Sequence, residues 1–481
     1  MFVRRTRTTV LATLALVNAF TLAAGLVVAH MLPPRLAALR IPVAAARPLI
    51  TALPVLTPAL TAPARSAAAS LPTETGLAAM LGAALPAGDT GPGVGIEVAD
   101  APTGQVLYSA NASALATPAS TTKVVTAVAA LAVLGPDARF TTQVRAEGGT
   151  IVLVGGGDPT LAVNEYPSSD YPQPATLAAL ATATARALKA QGRASVTLGY
   201  DTSLYGGSGM APGWSDSDVS TGNVTPIVSL EADQGRLTAA GALEDDDDPV
   251  NFTARTMDPA GMTAAAFAGL LGRDGITVTG TPSSVTAQAS APVIASVSSP
   301  PLSAMAEQML LESNNVIAEN LARHVAIAMG MPATFSGAAD ALVTEVRRLG
   351  VTTPISLVDG SGLSPRDGIA PQTLVRVLEV AASTPVLRAA IASLPVAGFN
   401  GTLASGESVF GGIDGAARGV VRAKTGNLTT VAALAGLAYD REGSLLIFAI
   451  MAPRIPDDDL LDNAADAIDS AAGGLASCGC R

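Results

Sequence analysis

The chain has 481 residues, of which 49% are hydrophobic, 14% are charged and 3% are aromatic, and its formal net charge at pH 7 is −11. This length exceeds one typical domain, and the apolar content excludes a chain that is disordered throughout. The acidic balance and the lack of a basic stripe argue against nucleic acid as a partner.

The first 32 residues predict a membrane segment. Three arginines within the first seven residues precede an uncharged, mostly apolar run from Thr9 to Ala29. As a helix rising about 1.5 Å per residue, this run would span roughly 30 Å, enough to cross a bilayer. We expect a retained single-pass anchor (residues 1–32) in the cell membrane, with the bulk of the chain extracytoplasmic. The alternatives are secretion after cleavage of a signal segment, whose apolar core usually has about 7–15 residues, and a buried soluble helix.

Residues 33–72 are rich in proline and alanine. Spaced prolines block long helices, so this segment is predicted to be a stalk. The first strong helix signal comes later, at Pro118, which fits a helix start. The apolar segment that follows is expected to end at Gly135 and Pro136.

Ser120 and Lys123 lie three residues apart at the start of that helix. Residues i and i+3 share a helix face, so the hydroxyl and the amine can meet. The chain has only three lysines, which are Lys123, Lys189 and Lys424. An S-x-x-K spacing alone arises often by chance, and a capping serine beside a solvated lysine is the alternative interpretation.

The sequence pattern changes between about residues 161 and 295. Short β-like runs (ASVTLGY, IVSLEADQGRLTAAGAL, GITVTG) alternate with glycine, proline and aspartate, and two stretches (PATLAALATATARALKAQG, DPAGMTAAAFAGLLGRDG) are typical of helices. We therefore predict an inserted, β-rich domain at residues 161–295. The run EDDDDP within it lacks the spacing of a calcium-binding EF-hand and is interpreted as a solvated acidic turn.

Two further motifs follow the insert. LLESNNVIAEN contains Ser313-Asn314-Asn315, and VVRAKTGNLTT contains Lys424-Thr425-Gly426 at the end of an apolar, β-branched stretch that predicts a strand. Two of the three lysines therefore fall in motifs.

The C-terminal end predicts one more helix. Its acidic first turn begins near Pro456, and it is expected to stop at about Ala472, before Gly473 and Gly474, and to pack on a sheet formed by the preceding hairpin. The tail (residues 476–481) carries Cys478 and Cys480, which could pair with each other, pair with another chain or bind a metal adventitiously; a non-functional tail is the simplest interpretation.

Several catalytic classes are disfavoured by residue usage. The two histidines are His30, at the end of the apolar run, and His324, in a predicted helix where it has an ordinary structural role. A Ser-His-Asp triad, a Cys-His pair and a zinc site therefore have little support, and no metal or other cofactor is expected. A serine nucleophile would need a lysine, an acidic residue or water as its base.

Lysine can serve as that base once its amine is neutral. Moving its pKa from about 10.4 toward 7 requires roughly 4–5 kcal/mol of differential stabilisation, from burial and nearby positive charge. Arginine cannot replace it, because the guanidinium does not deprotonate in proteins.

The ordered set S-x-x-K, S-x-N and K-T-G resembles the motifs of penicillin-recognising serine enzymes. The chain is similar to the low-molecular-mass class C penicillin-binding proteins, which are D-alanyl-D-alanine carboxypeptidases and endopeptidases. Further similar segments include VGGGDPTL, LGYDTSLYGGSGMAPGW and VDGSGLSPRDGI. The resemblance covers roughly residues 92–455.

The resemblance implies a multi-domain α/β fold. Its core is a penicillin-binding or β-lactamase-like α/β sandwich, in which an antiparallel sheet has helices on both faces. The inserted domain interrupts this core between the S-x-x-K and S-x-N motifs. The core is then expected in two parts, at residues 73–160 and 296–475.

The resemblance also implies residue roles. Ser120 is the acylated nucleophile and Lys123 takes its proton, whereas Ser313 relays a proton to the leaving amine and Lys424 keeps that region positively charged. Two interactions hold the substrate: Asn315 binds its amide, and Thr425 of the Lys424-Thr425-Gly426 motif helps to hold its terminal carboxylate. The backbone N–H groups of Ser120 and Asn427 would form an oxyanion hole.

The leading functional hypothesis is a membrane-anchored D,D-carboxypeptidase that trims peptidoglycan stem peptides and is acylated by β-lactams. Cleavage of D,D cross-links is a related possibility. The alternatives are a serine β-lactamase and a catalytically idle wall-binding scaffold.

Overall fold

The computed structural model describes residues 71–166, 171–238, 253–404, 417–457 and 460–480. The predicted anchor and almost all of the predicted stalk lie outside these ranges. Within them, no helix combines the length and the apolar character that a membrane crossing requires.

The described helices are numbered in chain order. They are α1 (Glu74–Ala84), α2 (Ala87–Thr90), α3 (Thr122–Leu134), α4 (Leu177–Ala190), α5 (Asp216–Ser220), α6 (Pro259–Arg273), α7 (Leu302–Leu311), α8 (Asn315–Ala328), α9 (Phe335–Arg348), α10 (Pro371–Ser383), α11 (Arg388–Ala392) and α12 (Leu461–Ser477), and short 3-10 turns occur at Ala119–Thr121, Asp233–Gly235, Pro385–Leu387 and Gly401–Leu403.

The described strands are numbered in the same way. They are β1 (Gly95–Asp100), β2 (Val106–Ala110), β3 (Thr141–Glu147), β4 (Thr150–Val154), β5 (Ser195–Asp201), β6 (Thr277–Val278), β7 (Ser283–Ser284), β8 (Val293–Ser298), β9 (Ile355–Ser356), β10 (Gly368–Ile369), β11 (Val421–Leu428), β12 (Val431–Tyr439) and β13 (Leu445–Ala452).

The first body is built on a five-stranded antiparallel sheet in the order β11-β12-β13-β1-β2. Strand β13 shows why helices cover both faces. Its alternate residues Ile447, Ala449 and Met451 pack into the core of α3, α7, α8, α9 and α10. Phe448 and Ile450 point the other way, into the core of α1 and α12. A strand buried on both faces is apolar at every position, as here. The predicted α/β sandwich is confirmed.

The second body is the inserted domain. Its sheet has the order β6-β5-β4-β3-β8, with β7 also paired to β5. Pairing is antiparallel around β3 and parallel around β5. Helices α4 and α6 cover it and share one core with β3, β4 and β5. Both helices were expected from the sequence, and they make the insert a mixed α/β unit rather than a mainly β one.

The insert is longer than its predicted range of 161–295. The hairpin of β3 and β4, assigned from sequence to the first part of the penicillin-binding domain, pairs with β5 and β8 instead. Its apolar residues Val144, Ile151 and Leu153 lie in the core of the insert. The two ends of the insert meet, because the backbone N–H of Ser299 donates to the carbonyl of Phe140 at 2.9 Å, the backbone N–H of Phe140 donates to Ser299 Oγ at 2.9 Å, and Thr141 pairs with Ser298.

One predicted strand region of the insert is wrong. Residues 227–238, the described part of the IVSLEADQGRLTAAGAL run, contain no strand and only the turn Asp233–Gly235 and an isolated bridge from Arg236 to Arg255. A small apolar cluster fixes this region to the first body, because Val224 and Ile227 pack against Val316 of α8 and Phe335 of α9. The insert thus contributes a fixed loop beside the start of α8.

The C-terminal helix also differs from its prediction. Helix α12 continues through Gly473 and Gly474 to Ser477 instead of stopping at Ala472. Gly474 lies directly against Met80 of α1, where a Cβ would collide with the methionine sulfur. Gly474 therefore serves close helix packing, and neither glycine ends the helix.

The tail is part of the folded body. Cys478 is buried and is joined to Cys480 by a disulfide. The carbonyl of Cys480 accepts a 2.8 Å hydrogen bond from the backbone N–H of Thr73. The two ends of the first body therefore lie side by side.

Candidate active site

The S-x-x-K motif lies on a turn that leads into α3. Ala119–Thr121 forms one 3-10 turn, and Thr122 continues it as a regular helix. The Nζ atom of Lys123 lies 2.8 Å from the Oγ atom of Ser120. The structure therefore brings together the two side chains that the spacing predicted would meet.

Lys123 is fully buried, and its amine has three acceptors. Besides Ser120, Nζ donates to Asn315 Oδ1 at 2.7 Å and to the carbonyl of Ser361 at 2.8 Å. These contacts fix the amine from three places: the turn Ala119–Thr121, helix α8 and the loop before β10. An amine held in this way needs no rearrangement to reach the serine.

Burial lowers the pKa of Lys123 from its ordinary value to about 7, against the opposing charges of Asp359, Glu319 and Asp367. Removing the ammonium from water therefore outweighs the attraction of three carboxyl groups. Near neutral pH a large fraction of the amine is uncharged and is able to accept a proton.

The S-x-N motif forms the junction into α8. Ser313 has a left-handed backbone (φ 58°), and Asn314 caps the helix by accepting a 3.1 Å hydrogen bond from Ile317 N. Asn315, the first helical residue, binds Lys123 through Oδ1 and donates through Nδ2 to the carbonyl of Asn223 at 2.9 Å. Asn315 therefore connects the catalytic lysine to the insert. Ser313 lines the same cleft as Ser120.

The K-T-G motif lies on β11, which is the edge strand of the five-stranded sheet. Lys424 is fully buried and donates to the carbonyl of Thr425 at 2.9 Å. Thr425 Oγ1 lies 2.7 Å from Thr402 Oγ1, so the two hydroxyls form a polar pair in the cleft. Burial and the charge on Lys123 lower the pKa of Lys424 well below its ordinary value in the ligand-free site.

Gly426 explains how β11 reaches the nucleophile. A Cβ there would lie 2.7 Å from the carbonyl of Pro118 and 3.1 Å from the backbone nitrogen of Ser120. Only a residue without a side chain allows the strand to pass this close to the Ser120 turn. Asn427, the next residue, is exposed and lines the cleft.

These motifs meet at a cleft of about 1040 Å³ between the two bodies. Of the residues predicted from sequence, Ser120, Ser313, Asn315, Thr425 and Asn427 line it. The side chains of Lys123 and Lys424 are buried. All three motifs are thus gathered at one site.

An acidic cluster lies near Lys123, and no motif in the sequence marks it. Glu319 accepts hydrogen bonds from Gly360 N (3.0 Å) and Ser361 N (2.8 Å). Asp359 accepts from three backbone N–H groups of its own loop and from Trp214 Nε1 at 2.9 Å. Burial raises the pKa of Glu319 and of Asp367 above their ordinary values, and so does the charge on Asp359. The cluster shapes the loop whose carbonyl receives Lys123.

His324 lies away from these motifs. Its ring stacks on Phe140 with a centroid distance of 3.5 Å, and Nε2 lies 3.0 Å from the carbonyl of Gly157. Burial lowers its pKa to about 4, so the imidazole is neutral at pH 7.

Comparison with known proteins identifies the family. Residues 77–240 and 229–473 match the model of the D-Ala-D-Ala carboxypeptidase 3 (S13) family. The chain belongs to this family. The S13 match spans both bodies and all three motifs, as the resemblance of the sequence to class C penicillin-binding proteins predicts.

Relatives of the same kind cover most of the chain. It is 39% identical over 419 residues to Carboxypeptidase DacB of Mycolicibacterium smegmatis, covering 86% of each chain. It is 30% identical to a D-alanyl-D-alanine carboxypeptidase of Actinomadura, covering 73% of this chain and 76% of the relative. The crystal structure of penicillin binding protein 4 from Haemophilus influenzae has the same fold, with a TM-score of 0.66, 23% identity and coverage of 81% of this chain and 97% of that one.

Proposed function

We propose that this protein is a serine D,D-carboxypeptidase that hydrolyses the terminal D-Ala-D-Ala bond of peptidoglycan stem peptides through an acyl-enzyme. One observation carries the proposal: a buried lysine amine with a pKa of about 7 lies 2.8 Å from the hydroxyl of Ser120, at the base of an open cleft. Family membership and the named carboxypeptidase relatives support the same substrate class.

Acylation begins when neutral Lys123 accepts the proton of Ser120. The Ser120 oxygen forms a bond to the carbonyl carbon of the penultimate D-alanine, and the resulting oxyanion is placed at the N–H groups of Ser120 and Asn427. The C–N bond then breaks. The leaving amine of D-alanine takes up a proton, for which Ser313, which lines the same cleft as Ser120, is the proposed relay.

Deacylation completes the cycle. Water attacks the ester, its proton passes to the base, and the Ser120 oxygen regains a proton as it leaves. The products are the shortened peptide, with a new carboxylate, and free D-alanine. Each step needs only water and the side chains of the site.

The substrate is held along β11. Lys424, Thr425 and Thr402 receive its terminal carboxylate, and its extended backbone pairs with the part of the β11 edge that follows Ala423, since Val421 and Ala423 already bond to residues 395–397. In the ligand-free cleft, burial and the charge on Lys123 lower the pKa of Lys424. A bound carboxylate favours the ammonium form, so substrate binding shifts this pKa upward.

The same chemistry accounts for β-lactam acylation. The β-lactam amide mimics the substrate amide, and Ser120 attacks it in the same way. The related fold of Haemophilus influenzae penicillin binding protein 4 has been solved in complex with a β-lactam. Of the two alternatives, a serine β-lactamase would release the bound product quickly, and an idle scaffold would form no adduct.

D,D-endopeptidase activity is the second candidate. The cleft of about 1040 Å³ is open, is lined from both bodies and lies at the upper end of the range of about 300–1,000 Å³ that is typical of small-molecule sites. A cleft of this size accommodates a larger leaving group, such as a second stem peptide.

The proposal is tested with a peptide that ends in D-Ala-D-Ala and its D-Ala-L-Ala diastereomer. We expect release of the C-terminal alanine from the first peptide alone, and a penicillin adduct that persists after the free drug is removed. Rapid loss of the adduct without peptide hydrolysis would indicate a β-lactamase, and absence of both signals would indicate a scaffold.

The pH dependence of acylation follows from Lys123. Its pKa is lowered to about 7. Below this pH the amine is protonated and cannot accept the serine proton, so the penicillin acylation rate should fall about tenfold per pH unit. Above it, the rate should level off. Stopped-time labelling between about pH 5 and pH 9 measures this profile. A rate that is flat, or that falls as the pH rises through 7, would exclude neutral Lys123 as the base.

We propose further that residues 1–32 anchor the protein, with the catalytic body outside the cytoplasmic membrane. The arginines and the apolar run from Thr9 to Ala29 support this. We expect the full-length chain to stay with membranes after alkaline carbonate washing, and a chain that starts at residue 33 to be released. A mature protein that begins after the apolar run and is found in the medium would favour signal cleavage.

A further inference from the structure

Asp359 lies inside the loop that receives the catalytic lysine. Its side chain is fully buried. Its Oδ1 atom accepts hydrogen bonds from Ser361 N at 3.1 Å and from Gly362 N at 2.7 Å. Its Oδ2 atom accepts from Ser364 N at 2.7 Å and from Trp214 Nε1 at 2.9 Å. Four N–H donors stabilise a carboxylate and hold the loop before β10 in one shape.

This shape places a hydrogen-bond acceptor at the amine of Lys123. The carbonyl of Ser361 accepts from Lys123 Nζ at 2.8 Å. The loop also packs tightly on the turn that carries the nucleophile, because a Cβ at Gly362 would collide with the carbonyl of Ala119. A change in the loop at Asp359 would therefore be felt at the amine.

The insert supplies one of the four donors. Trp214 lies between β5 and α5, and its ring meets the ring of Phe335 on α9 edge to face, with a centroid distance of 5.1 Å. Close by, the carbonyl of Pro212 accepts a 2.7 Å hydrogen bond from Ser364 Oγ. The inserted domain is thus bonded at two points to the loop that receives the lysine.

The ionisable groups that interact with Lys123 come from three elements. They are Asp359 and Asp367 in the loop before β10, Glu319 on α8 and Lys424 on β11. Burial lowers the pKa of Lys123 to about 7, and the three carboxyl groups oppose that effect. Burial and the charge on Lys123 lower the pKa of Lys424. An anion in this cluster would therefore favour the ammonium form of Lys123.

Asp359 is the carboxyl group best placed to carry that charge. Burial and the charge on Asp359 raise the pKa of Glu319 and of Asp367, so both favour the protonated acid. Arg323, one turn further along α8, opposes this effect at Glu319 but does not outweigh it. Asp359 receives four N–H donors, whereas Glu319 receives two. The negative charge that acts on Lys123 is therefore assigned to Asp359.

We propose that Asp359 is a positioning residue for the serine–lysine reaction: its carboxylate fixes the carbonyl that receives Lys123, and its negative charge stabilises the ammonium that forms when the amine takes the serine proton. The inference rests on the proposed function, in which Lys123 is the base for Ser120. A buried amine without an anion nearby is a weaker base and takes the serine proton less readily. Asp359 is buried and acts on the substrate only through Lys123.

Asp359→Asn is tested through the pH profile of penicillin acylation by the full-length chain. Removal of the anion should lower the pKa of Lys123, so the midpoint of the acid limb should move down by about one pH unit. The plateau rate should fall about tenfold, because the amide keeps one acceptor atom for four N–H donors. Asp340→Asn, on the exposed face of α9, is the matched control and should give the wild-type profile.

Two further variants separate charge from shape. Trp214→Phe removes one donor to Asp359 but no charge, so the plateau should fall about threefold and the midpoint should stay in place. Glu319→Gln replaces a carboxyl group that favours its protonated form, and it keeps an acceptor for Gly360 N and Ser361 N. Its midpoint should move by less than about half a pH unit.

Lysine labelled with ¹³C at Cε reports the same pKa directly. The chain has three lysines, so Lys189→Arg leaves only the signals of Lys123 and Lys424, and the signal lost in Lys123→Arg is that of Lys123. That signal should titrate about one unit lower in Asp359→Asn than in the wild type. The measurement needs no turnover. A flat acylation profile would therefore end the proposed lysine-base mechanism, and the NMR titration would still decide the role of Asp359.

Three results would overturn the inference. The first is a Lys123 pKa that is unchanged or raised in folded Asp359→Asn. The second is an equal shift in Trp214→Phe, which would assign the shift to loop distortion. The third is a larger shift in Glu319→Gln, which would place the charge on Glu319.

Asp359→Glu decides the question if Asp359→Asn does not fold. It keeps the charge but changes the reach of the side chain, so the Lys123 pKa should stay within about half a unit of wild type while the plateau rate falls about tenfold. A pKa that falls by a full unit although the charge is retained, or a plateau that is unchanged, would contradict the proposed role.

Discussion

Ser120→Ala is expected to abolish both the penicillin adduct and the release of D-alanine, with a loss of about 10⁴-fold or more. Ser120 is the hydroxyl that lies 2.8 Å from Lys123 Nζ, and the described residues place no other serine hydroxyl within hydrogen-bond distance of that amine. Without the oxygen no ester forms, and the cleft is reduced to binding the peptide. Gel fluorescence of the adduct and a D-amino-acid oxidase assay measure the two losses.

Ser383→Ala provides the matched control, because Ser383 is exposed at the end of α10. It should label and hydrolyse as wild type. Persistent labelling of a correctly folded Ser120→Ala protein would assign the nucleophile to another residue and end the proposed mechanism.

Lys123→Arg should reduce acylation by about 10³-fold, the scale on which positioned general bases contribute. Arginine keeps the positive charge but does not deprotonate, so it cannot take the serine proton. It is also larger than the site, in which Lys123 is fully buried and bonded to Ser120, Asn315 and Ser361. The measurement is the second-order rate constant for penicillin acylation.

The same substitution at Lys189 is the control. Lys189 is exposed in the last turn of α4, so Lys189→Arg should be silent. A thermal melt separates loss of the base from loss of the fold. Near-normal acylation by a folded Lys123→Arg variant would contradict the role of the lysine as base.

The parts of the site that sequence predicts are those set by local geometry. Ser120 and Lys123 meet because three residues along a helix return a side chain to the same face. The α/β sandwich was expected from the resemblance to class C penicillin-binding proteins, and the apolar closing hairpin agrees with a sheet that is buried on both faces. The rarity of lysine also helped, because a chain that uses arginine for almost all of its positive residues places two of its three lysines in these motifs.

The remaining features depend on contacts between distant segments. No pattern in the sequence distinguishes Glu319 and Asp359 from other acidic residues. Their hydrogen bonds to the loop before β10 form only in the folded chain, where α8 packs against that loop. The insert begins at β3 rather than at residue 161 because strand pairing with β8, about 150 positions later, decides the boundary. Gly474 was predicted to follow the end of the C-terminal helix. In the structure the helix continues through it and packs closely against Met80.

Phe140 and Ser299 join the entry and the exit of the insert at one point on the α/β core. A module whose entry and exit are neighbours could be gained or lost by the parent gene without moving the strands and helices on either side. Excision would spare the serine–lysine pair but remove the loop that carries Asn223, whose carbonyl accepts a hydrogen bond from Asn315. The α/β core therefore carries the catalytic residues. The inserted domain forms part of the cleft wall, so changes in its sequence would alter which peptides bind without changing those residues.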